Sequence, residues 1–346
     1  MEVVVKKVGI LTFHEADNYG ASLQAYALLK SLKGKVDAEI INYHCQYILE
    51  QIIDVNGLSL PKKIIALAFK KNKHRKFKKF TNDFLKLSND YTTDNKVDIN
   101  NIYDMVIVGS DQVWNLECTN SDNTYFLDFI NDNTIATTYA ASFGSASFPG
   151  KDYYVYLKRF HTISLREEKY VDEIRKYNNN VRIDIDPTLL LPRQDWESFI
   201  LKKRPIKQKY VFVYLVGEQI ELIKKANEYA LANKCKVITN KNSIDFFLKC
   251  SPVDFLNWIY YSDYIFTNSF HGTVFSIVYH KKLVVECNIK GGYNNRASDL
   301  LSKTELEILK IENCFVKKSI DWDAVDEKLN LLRVDSNKYI DEMIGF

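Results

Sequence analysis

The chain has little of what staples or punctuates small folds. Its six cysteines (Cys45, Cys118, Cys235, Cys250, Cys287 and Cys314) are scattered over 346 residues without a CxxC pair. That spacing excludes a disulfide framework and a cysteine zinc site, and fits reduced thiols. Only 12 glycines and 6 prolines are present, which leaves no low-complexity linker. No apolar run approaches the roughly 20 residues that span a bilayer. The formal net charge is only +3, too small to imply nucleic acid as a partner. Met1 to Lys6 read directly into a strand and lack the charged start, apolar core and cleavage site of a signal peptide. A cytoplasmic protein without a metal or resident cofactor is expected.

Aromatic residues, by contrast, are plentiful, with 22 tyrosines and 20 phenylalanines. They suit a well-packed core, and equally a cleft that stacks on sugar rings. The length predicts two domains. Strand and helix patterns alternate through both halves. In the first half, Val3–Phe13 is β-rich and leads through a polar turn, His14 to Gly20, into a helix from about Ala21 to Lys33. Ala38–Tyr43, Asp104–Val108, Ile135–Ala141, Thr162–Leu165 and Arg182–Ile185 read as further strands, and Lys151 to about Phe160 as a helix. Leu189–Arg204 reads as the passage between domains. In the second half, strands at Tyr210–Val216, Cys235–Thr239, Asp263–Asn268 and Leu283–Cys287 alternate with helices. These include Pro252–Tyr261, Phe270–His280 and one near Ala297–Leu301. The last helix, from Asp321 to about Ile344 with a break near Val334, is expected to fold back onto the first domain.

This alternation predicts an α/β protein of two Rossmann-like domains facing a cleft, the GT-B type of architecture. The first domain covers residues 1–190 and carries a basic helical insertion at about 48–90. The second covers 205–320, and 321–346 forms the C-terminal helix. Within the insertion, Pro61–Lys79 holds nine Lys or Arg residues and no acid. Such a run is either a solvated helix face or a peripheral contact with the inner face of an anionic membrane.

Polar residues cluster where strands end, the place where open α/β sheets bind ligands. In Thr267-Asn268-Ser269-Phe270-His271-Gly272-Thr273 a strand turns into a helix, so His271 sits near a helix N-terminus. The positive dipole there welcomes an anion and disfavours the charged form of a histidine, which suits proton transfer. The plainer reading is that Asn268 or Ser269 caps the helix and His271 is structural. His14, Asp17 and Asn18 follow the first strand, although one of the two acidic and amide groups could merely cap. Ser110 and Asp111 follow the Asp104–Val108 strand, where Asp111 either orients a hydroxyl or caps the next turn. Arg166 ends a short strand, and its planar fork suits carboxylate or phosphate. An ion pair with Glu167, Glu168 or Asp172 is the alternative. Arg296 lies at the end of a polar glycine-containing loop.

The segments Gly9–Phe13, Asn18–Tyr26, Val108–Asn115, Tyr139–Gly144, Ser164–Glu167, Asp186–Leu189 and Thr267–Thr273 together resemble the polysaccharide pyruvyl transferase family. They fall in family order over about residues 8–300. The resemblance implies transfer of the enolpyruvyl unit of phosphoenolpyruvate to a sugar, usually as a ketal on two hydroxyls, with release of phosphate. The acceptor would be a cell-surface polysaccharide, such as a capsule or exopolysaccharide, or its lipid-linked precursor. His271, Asp111 and His14 become the catalytic candidates, with His271 as proton donor and Asp111 or His14 as base. Arg166, Arg296, Asn18, Ser110, Asn268, Ser269 and Gly272 become the substrate-binding candidates. Some members carry a basic residue two positions before the motif histidine, where this chain has Ser269, so donor binding shifts toward Arg166 and Arg296. Two other readings share the architecture: a glycosyltransferase using a nucleotide sugar, and a non-catalytic glycan-binding relative.

Overall fold

The computed structural model describes residues 6–55, 59–144, 146–217, 219–289, 292–314 and 319–345. The expected strand residues Val3–Val5 lie outside them. The chain divides into two compact units, one of residues 1–190 and 332–346, the other of 191–331.

The first unit is built on a five-stranded sheet of order β3-β2-β1-β4-β5. Its strands are β1 (Lys7–Leu11), β2 (Asp37–Tyr43), β3 (Leu87–Tyr91), β4 (Met105–Val108) and β5 (Ile135–Thr138), and all neighbours are parallel. β1 and β4 are buried throughout their apolar lengths, as expected of strands covered on both faces. Helix α1 (Tyr19–Leu32) links β1 to β2, and α2 (Gln46–Ile53) and α3 (Leu60–Phe84) link β2 to β3. β3 and α2 lie in the stretch where the sequence carries no motif. β3, Leu-Ser-Asn-Asp-Tyr, is an edge strand too polar to read as one. A two-stranded parallel pair, β6 (Ile163–Leu165) and β7 (Val181–Ile183), follows. The expected helix at Lys151–Phe160 is shorter: a 3₁₀ turn at Lys151–Tyr153 and one α-turn at Tyr154–Leu157.

The second unit holds a four-stranded sheet of order β11-β10-β8-β9. These strands are β8 (Tyr210–Tyr214), β9 (Lys236–Thr239), β10 (Tyr264–Thr267) and β11 (Leu283–Val285), again all parallel. Residues 191–204 belong to this unit, because Trp196 is fully buried edge-on against Phe275, at 4.9 Å between ring centroids. Asn257 ties the same passage down, accepting from the Leu201 N–H and donating to the Phe199 carbonyl.

The C-terminal helix runs unbroken from Trp322 to Ile344, without the expected break near Val334. It contains no glycine or proline, so nothing in its backbone interrupts the hydrogen bonds. Its residues from Leu332 onward belong to the first unit. There the Tyr339 hydroxyl donates to the Thr138 carbonyl at 2.9 Å and its ring stacks on Tyr139. The fold is therefore α/β with two Rossmann-like parallel-sheet units, as expected. Among the described residues no helix is long and apolar enough to cross a membrane.

Candidate active site

In each sheet the strand order reverses at one point, and the candidate motifs lie there. In the first unit the reversal is between β1 and β4, because β1 leads outward to β2 and β3 while β4 starts the other side. The loops that leave these two strands carry His14 to Asn18 and Ser110 to Asn115. In the second unit the reversal is between β8 and β10, and the turn after β10 into the next helix carries Asn268 to His271. Such switch points are where diverging loops open a crevice at the carboxyl edge.

The first-unit loops are held by polar side chains. The Thr12 hydroxyl donates to the Ser110 carbonyl at 3.0 Å, and Gln24 from α1 donates to Thr12 at 2.8 Å. Asn18 caps α1, its side-chain oxygen accepting from the Gly20 and Ala21 N–H groups. Asp111 has φ of +75°, a conformation rare for a residue with a side chain. A parallel bridge to Ala141 and the Ser142 N–H on the Asp111 carbonyl, at 3.1 Å, hold it there. Strained backbone of this kind costs about 1–3 kcal/mol and gathers at functional sites.

Arg166 is not open to a ligand in the way the sequence suggests. Its side chain is 2% exposed, with Nη1 on the Asp186 carboxylate at 2.5 Å and Nη2 on Asp111 at 3.4 Å. Burial lowers its pKa, but the carboxylates of Asp186, Asp111 and Glu167 outweigh burial and the net shift is upward. The ion pairs are with Asp186, Asp111 and, at 4.0 Å, the expected Glu167. Glu167 also accepts from the Ser142 hydroxyl and from the Phe143 and Gly144 N–H groups. Gly144 has φ of +60°, and a Cβ there would stand 1.9 Å from Gln112 Oε1. The Tyr139–Gly144 and Ser164–Glu167 segments thus brace each other around Asp111. Ser110 is fully buried and contacts Asp186 at 3.4 Å.

His14 is also enclosed. Its Nε2 is 2.7 Å from the side-chain oxygen of Asn42, whose amide donates to Asp90. That orientation makes His14 Nε2 the donor, and burial lowers the pKa below the ordinary histidine value despite this bond. Asp111, by contrast, lines a pocket of about 460 Å³ together with Phe13, Asp17, Asn18, Gln112 and Glu117.

In the second unit, Ser269 is the N-cap of the Phe270–Val278 helix, its hydroxyl accepting from the Gly272 N–H at 3.3 Å. Asn268 is a clamp: its side chain accepts from the Val216 N–H and donates to the Val216 carbonyl. His271 is therefore in the first turn of the helix, and it is 8% exposed. Its ring meets Phe270 edge-on, at 5.0 Å, and the Arg296 guanidinium lies over the same Phe270 ring at 5.6 Å. One aromatic ring thus gathers a histidine, a guanidinium and a helix N-terminus. Asn294 fixes the Arg296 segment by donating to the Asn268 carbonyl at 2.9 Å. Gly272 is required by space, since a Cβ would stand 2.5 Å from Thr267 Oγ1.

Three contributors escape a reading of the sequence. Asp186 could be found only as part of the Asp186–Leu189 segment. Lys70 and Lys73 of α3 line the Asp111 pocket, and in the sequence they are two cations among nine.

Among solved structures, the chain is similar to the Neisseria meningitidis UDP-GlcNAc 2-epimerase bound to UDP-GlcNAc, with 9% identity and TM-score 0.43 over 96% of this chain and 99% of that one. It is similar also to the Methanocaldococcus jannaschii UDP-GlcNAc 2-epimerase in complex with UDP-GlcNAc and UDP, with 11% identity and TM-score 0.41 over 95% and 99%. The E. coli ADP-heptose lipopolysaccharide heptosyltransferase II gives 9% identity and TM-score 0.37 over 95% and 99%. At such TM-scores these likenesses decide nothing about chemistry. No curated protein matches at the sequence level. A family model does match, over residues 18–285, a span that takes in Asn18 and the loops after β4 and β10 and leaves out His14 and Arg296. The chain belongs to the polysaccharide pyruvyl transferase family.

Proposed function

We propose that the protein transfers the enolpyruvyl unit of phosphoenolpyruvate to a sugar of a cell-surface polysaccharide or of its lipid-linked precursor, forming a pyruvate ketal and releasing phosphate. The observation that carries this is His271 of the family motif, in the first turn of a helix and sharing the Phe270 ring with Arg296. The donor is a carboxylate and a phosphate on one small molecule. The helix N-terminus and the Arg296 guanidinium suit such an anion. His271 supplies the proton to the methylene carbon, which makes C2 electrophilic. A sugar hydroxyl attacks C2 and phosphate leaves. A second hydroxyl then closes the ketal. General acid help of this kind contributes about 10²–10⁴-fold.

Asp111 takes the hydroxyl proton. Between the two candidate bases, it is the one that lines a pocket large enough for a sugar, whereas His14 Nε2 is committed to Asn42. Arg166 is a positioning residue in this scheme: it holds the Asp111 carboxylate in place, and donor binding falls to Arg296. No metal and no resident cofactor takes part in these steps.

The test is phosphate release from phosphoenolpyruvate with candidate acceptor glycans. His271→Ala should abolish release while keeping the folded far-UV and thermal profile. Near-normal release by that variant would remove His271 from the chemistry. Arg296→Ala should raise the KM for phosphoenolpyruvate with a smaller effect on kcat.

A further inference from the structure

We propose that His44 is a positioning residue for the transfer: its protonated ring joins Glu15 of the loop after β1 to Asp90 near the end of β3 and so holds one wall of the Asp111 pocket in place, and the wall loosens as the ring loses its proton. Its effect on turnover rests on the reaction proposed above, whereas the latch itself is a property of the folded chain.

The loop after β1 runs from His14 to Asn18, and its Ala16, Asp17 and Asn18 line the Asp111 pocket. Its own chain bonds are short-range: the His14 N–H donates to the Thr12 carbonyl and the Asn18 N–H to the Ala16 carbonyl. Ties to neighbouring elements come from side chains. Asp17 pairs with His74 of α3 at 3.1 Å, and the Lys73 ammonium donates to the Asp17 carbonyl. Glu15 pairs with His44, the residue after β2, at 2.9 Å between Oε1 and Nδ1. Among the described residues His44 is the only hydrogen-bond partner of the Glu15 side chain, and Glu15 Oε2 is buried without one.

The other ring nitrogen of His44, Nε2, faces Asp90 Oδ1 at 3.4 Å. The same Asp90 oxygen accepts from the Asn42 amide at 2.6 Å, and Asn42 Oδ1 accepts from His14 Nε2 at 2.7 Å. The side chains of His14, Asn42, Asp90, His44 and Glu15 thus close a ring through the peptide that joins residues 14 and 15. Both nitrogens of His44 meet carboxylates, and only the imidazolium has two N–H groups to give them. A neutral ring turns a lone pair on one of the two. The sheet does not need this ring, because β2 and β3 pair through their main chains, and the His44 N–H itself donates to the Tyr91 carbonyl at 2.8 Å. The ionisable groups around His44 are Glu15 and His14 from the loop and Asp90 from β3. Burial lowers the His44 pKa, but Glu15 and Asp90 outweigh burial and the net shift is upward from the ordinary 6.5. Glu15 counts for more, since its side chain is 22% exposed against 77% for Asp90. A folded-state value above the unfolded one means that the latch is fully made below 6.5 and is lost as pH rises through the folded value.

The experiment uses the full-length protein without ligand in its first two arms. Proton NMR of the histidine rings, with the His44 signal identified by its loss in His44→Gln, should give a midpoint above 6.5, and Glu15→Gln should lower that midpoint. Hydrogen exchange of the 14–18 amides is followed over the same pH range and corrected for the intrinsic pH dependence of exchange. Protection should fall about fivefold across the titration, the difference between a charge-assisted bond and a neutral one. His44→Gln should show the low protection at every pH, and His74→Gln should keep the pH-dependent fall. In the third arm, phosphate release, the acceptor KM should rise by a similar factor over the same range with a smaller change in kcat. His44→Arg, whose charge does not titrate there, should keep the low KM throughout.

A His44 midpoint at or below 6.5, a midpoint that Glu15→Gln leaves in place, or the same pH-dependent loss of protection in His44→Gln would overturn the latch. An acceptor KM with one pH profile in wild type and His44→Gln would remove His44 from the transfer. Absence of phosphate release with every acceptor would overturn the reaction and not the latch, because the NMR and exchange arms contain no substrate.

Discussion

At the residue scale, the structure sorts side chains that look alike in the sequence. Arg166 and Arg296 are both arginines at a strand-to-helix turn, yet Arg166 is sealed against two carboxylates and Arg296 lies half-buried over Phe270. Arg166→Met should cost about 3–5 kcal/mol of stability, because it strands Asp186 and Asp111 as buried charges. Denaturant unfolding measures that, and a loss well below it would show the pair to be wetter than it is here. Asp111→Asn should keep the fold, since asparagine tolerates the same positive φ, while phosphate release falls about 10²–10⁴-fold. One lysine makes a prediction about pH. Burial lowers the Lys281 pKa to about 8 from its ordinary 10.5, with its ammonium donating to the Tyr260 carbonyl at 2.7 Å. Between those two values the unfolded chain binds more protons than the folded one. Stability from this group therefore rises with pH across that window. Lys281→Met should flatten that slope in unfolding measured at pH values inside it, and an unchanged slope would refute the assignment.

At the element scale, the helix that begins at Phe270 depends on its first turn. Ser269→Ala removes the cap and should cost about 0.5–2 kcal/mol. Gly272→Ala drives a Cβ into Thr267 Oγ1, which itself donates to the Tyr214 carbonyl and accepts from the Ser269 N–H. Overpacking of this sort costs about 1–3 kcal/mol, so its melting temperature should fall below that of wild type. Helix α3 carries a different prediction. Its far half is anchored by buried Phe77 and Phe80, while Ile64 and Ile65 near its start are 64% and 58% exposed among lysines. We propose that this end meets an anionic membrane surface. Sedimentation with phosphatidylglycerol-containing vesicles should pull down wild type and release it in high salt, and Ile64→Asp with Ile65→Asp should weaken the binding. Equal binding to neutral vesicles would contradict the electrostatic part.

At the scale of the whole molecule, the two-sheet plan was legible because buried parallel strands read as short apolar runs punctuated by polar loops. Asp104–Val108 and Tyr210–Val216 show this plainly. The order of strands was not legible, and it is the order that puts His271 and Asp111 each where its own sheet reverses. The edge strand Leu87–Tyr91 was invisible because two of its five residues are polar and exposed. The Arg166–Asp186 pair was missed because its partners are 20 residues apart in sequence. That Lys70 and Lys73 line the Asp111 pocket was hidden because a basic run does not show which of its members face a pocket. The end of the chain was read as returning to the first domain, and there Ser336 and Arg182 share Asp184 while Ile340 and Met343 are fully buried. Tyr339→Ala should therefore destabilise the first unit by about 3–5 kcal/mol. Calorimetry that showed no loss would mean the C-terminal segment is dispensable.

The central claim is the reaction itself, and mass spectrometry of the acceptor glycan tests it most directly. The purified protein is incubated with carbon-13-labelled phosphoenolpyruvate and a lipid-linked glycan fraction, and the glycan is weighed before and after. The account predicts a labelled gain equal to one pyruvate less one water per modified sugar, matched one to one by released phosphate and absent with His271→Ala. A glycan that gains a hexose only when a nucleotide sugar is supplied, and never the labelled unit, would contradict it.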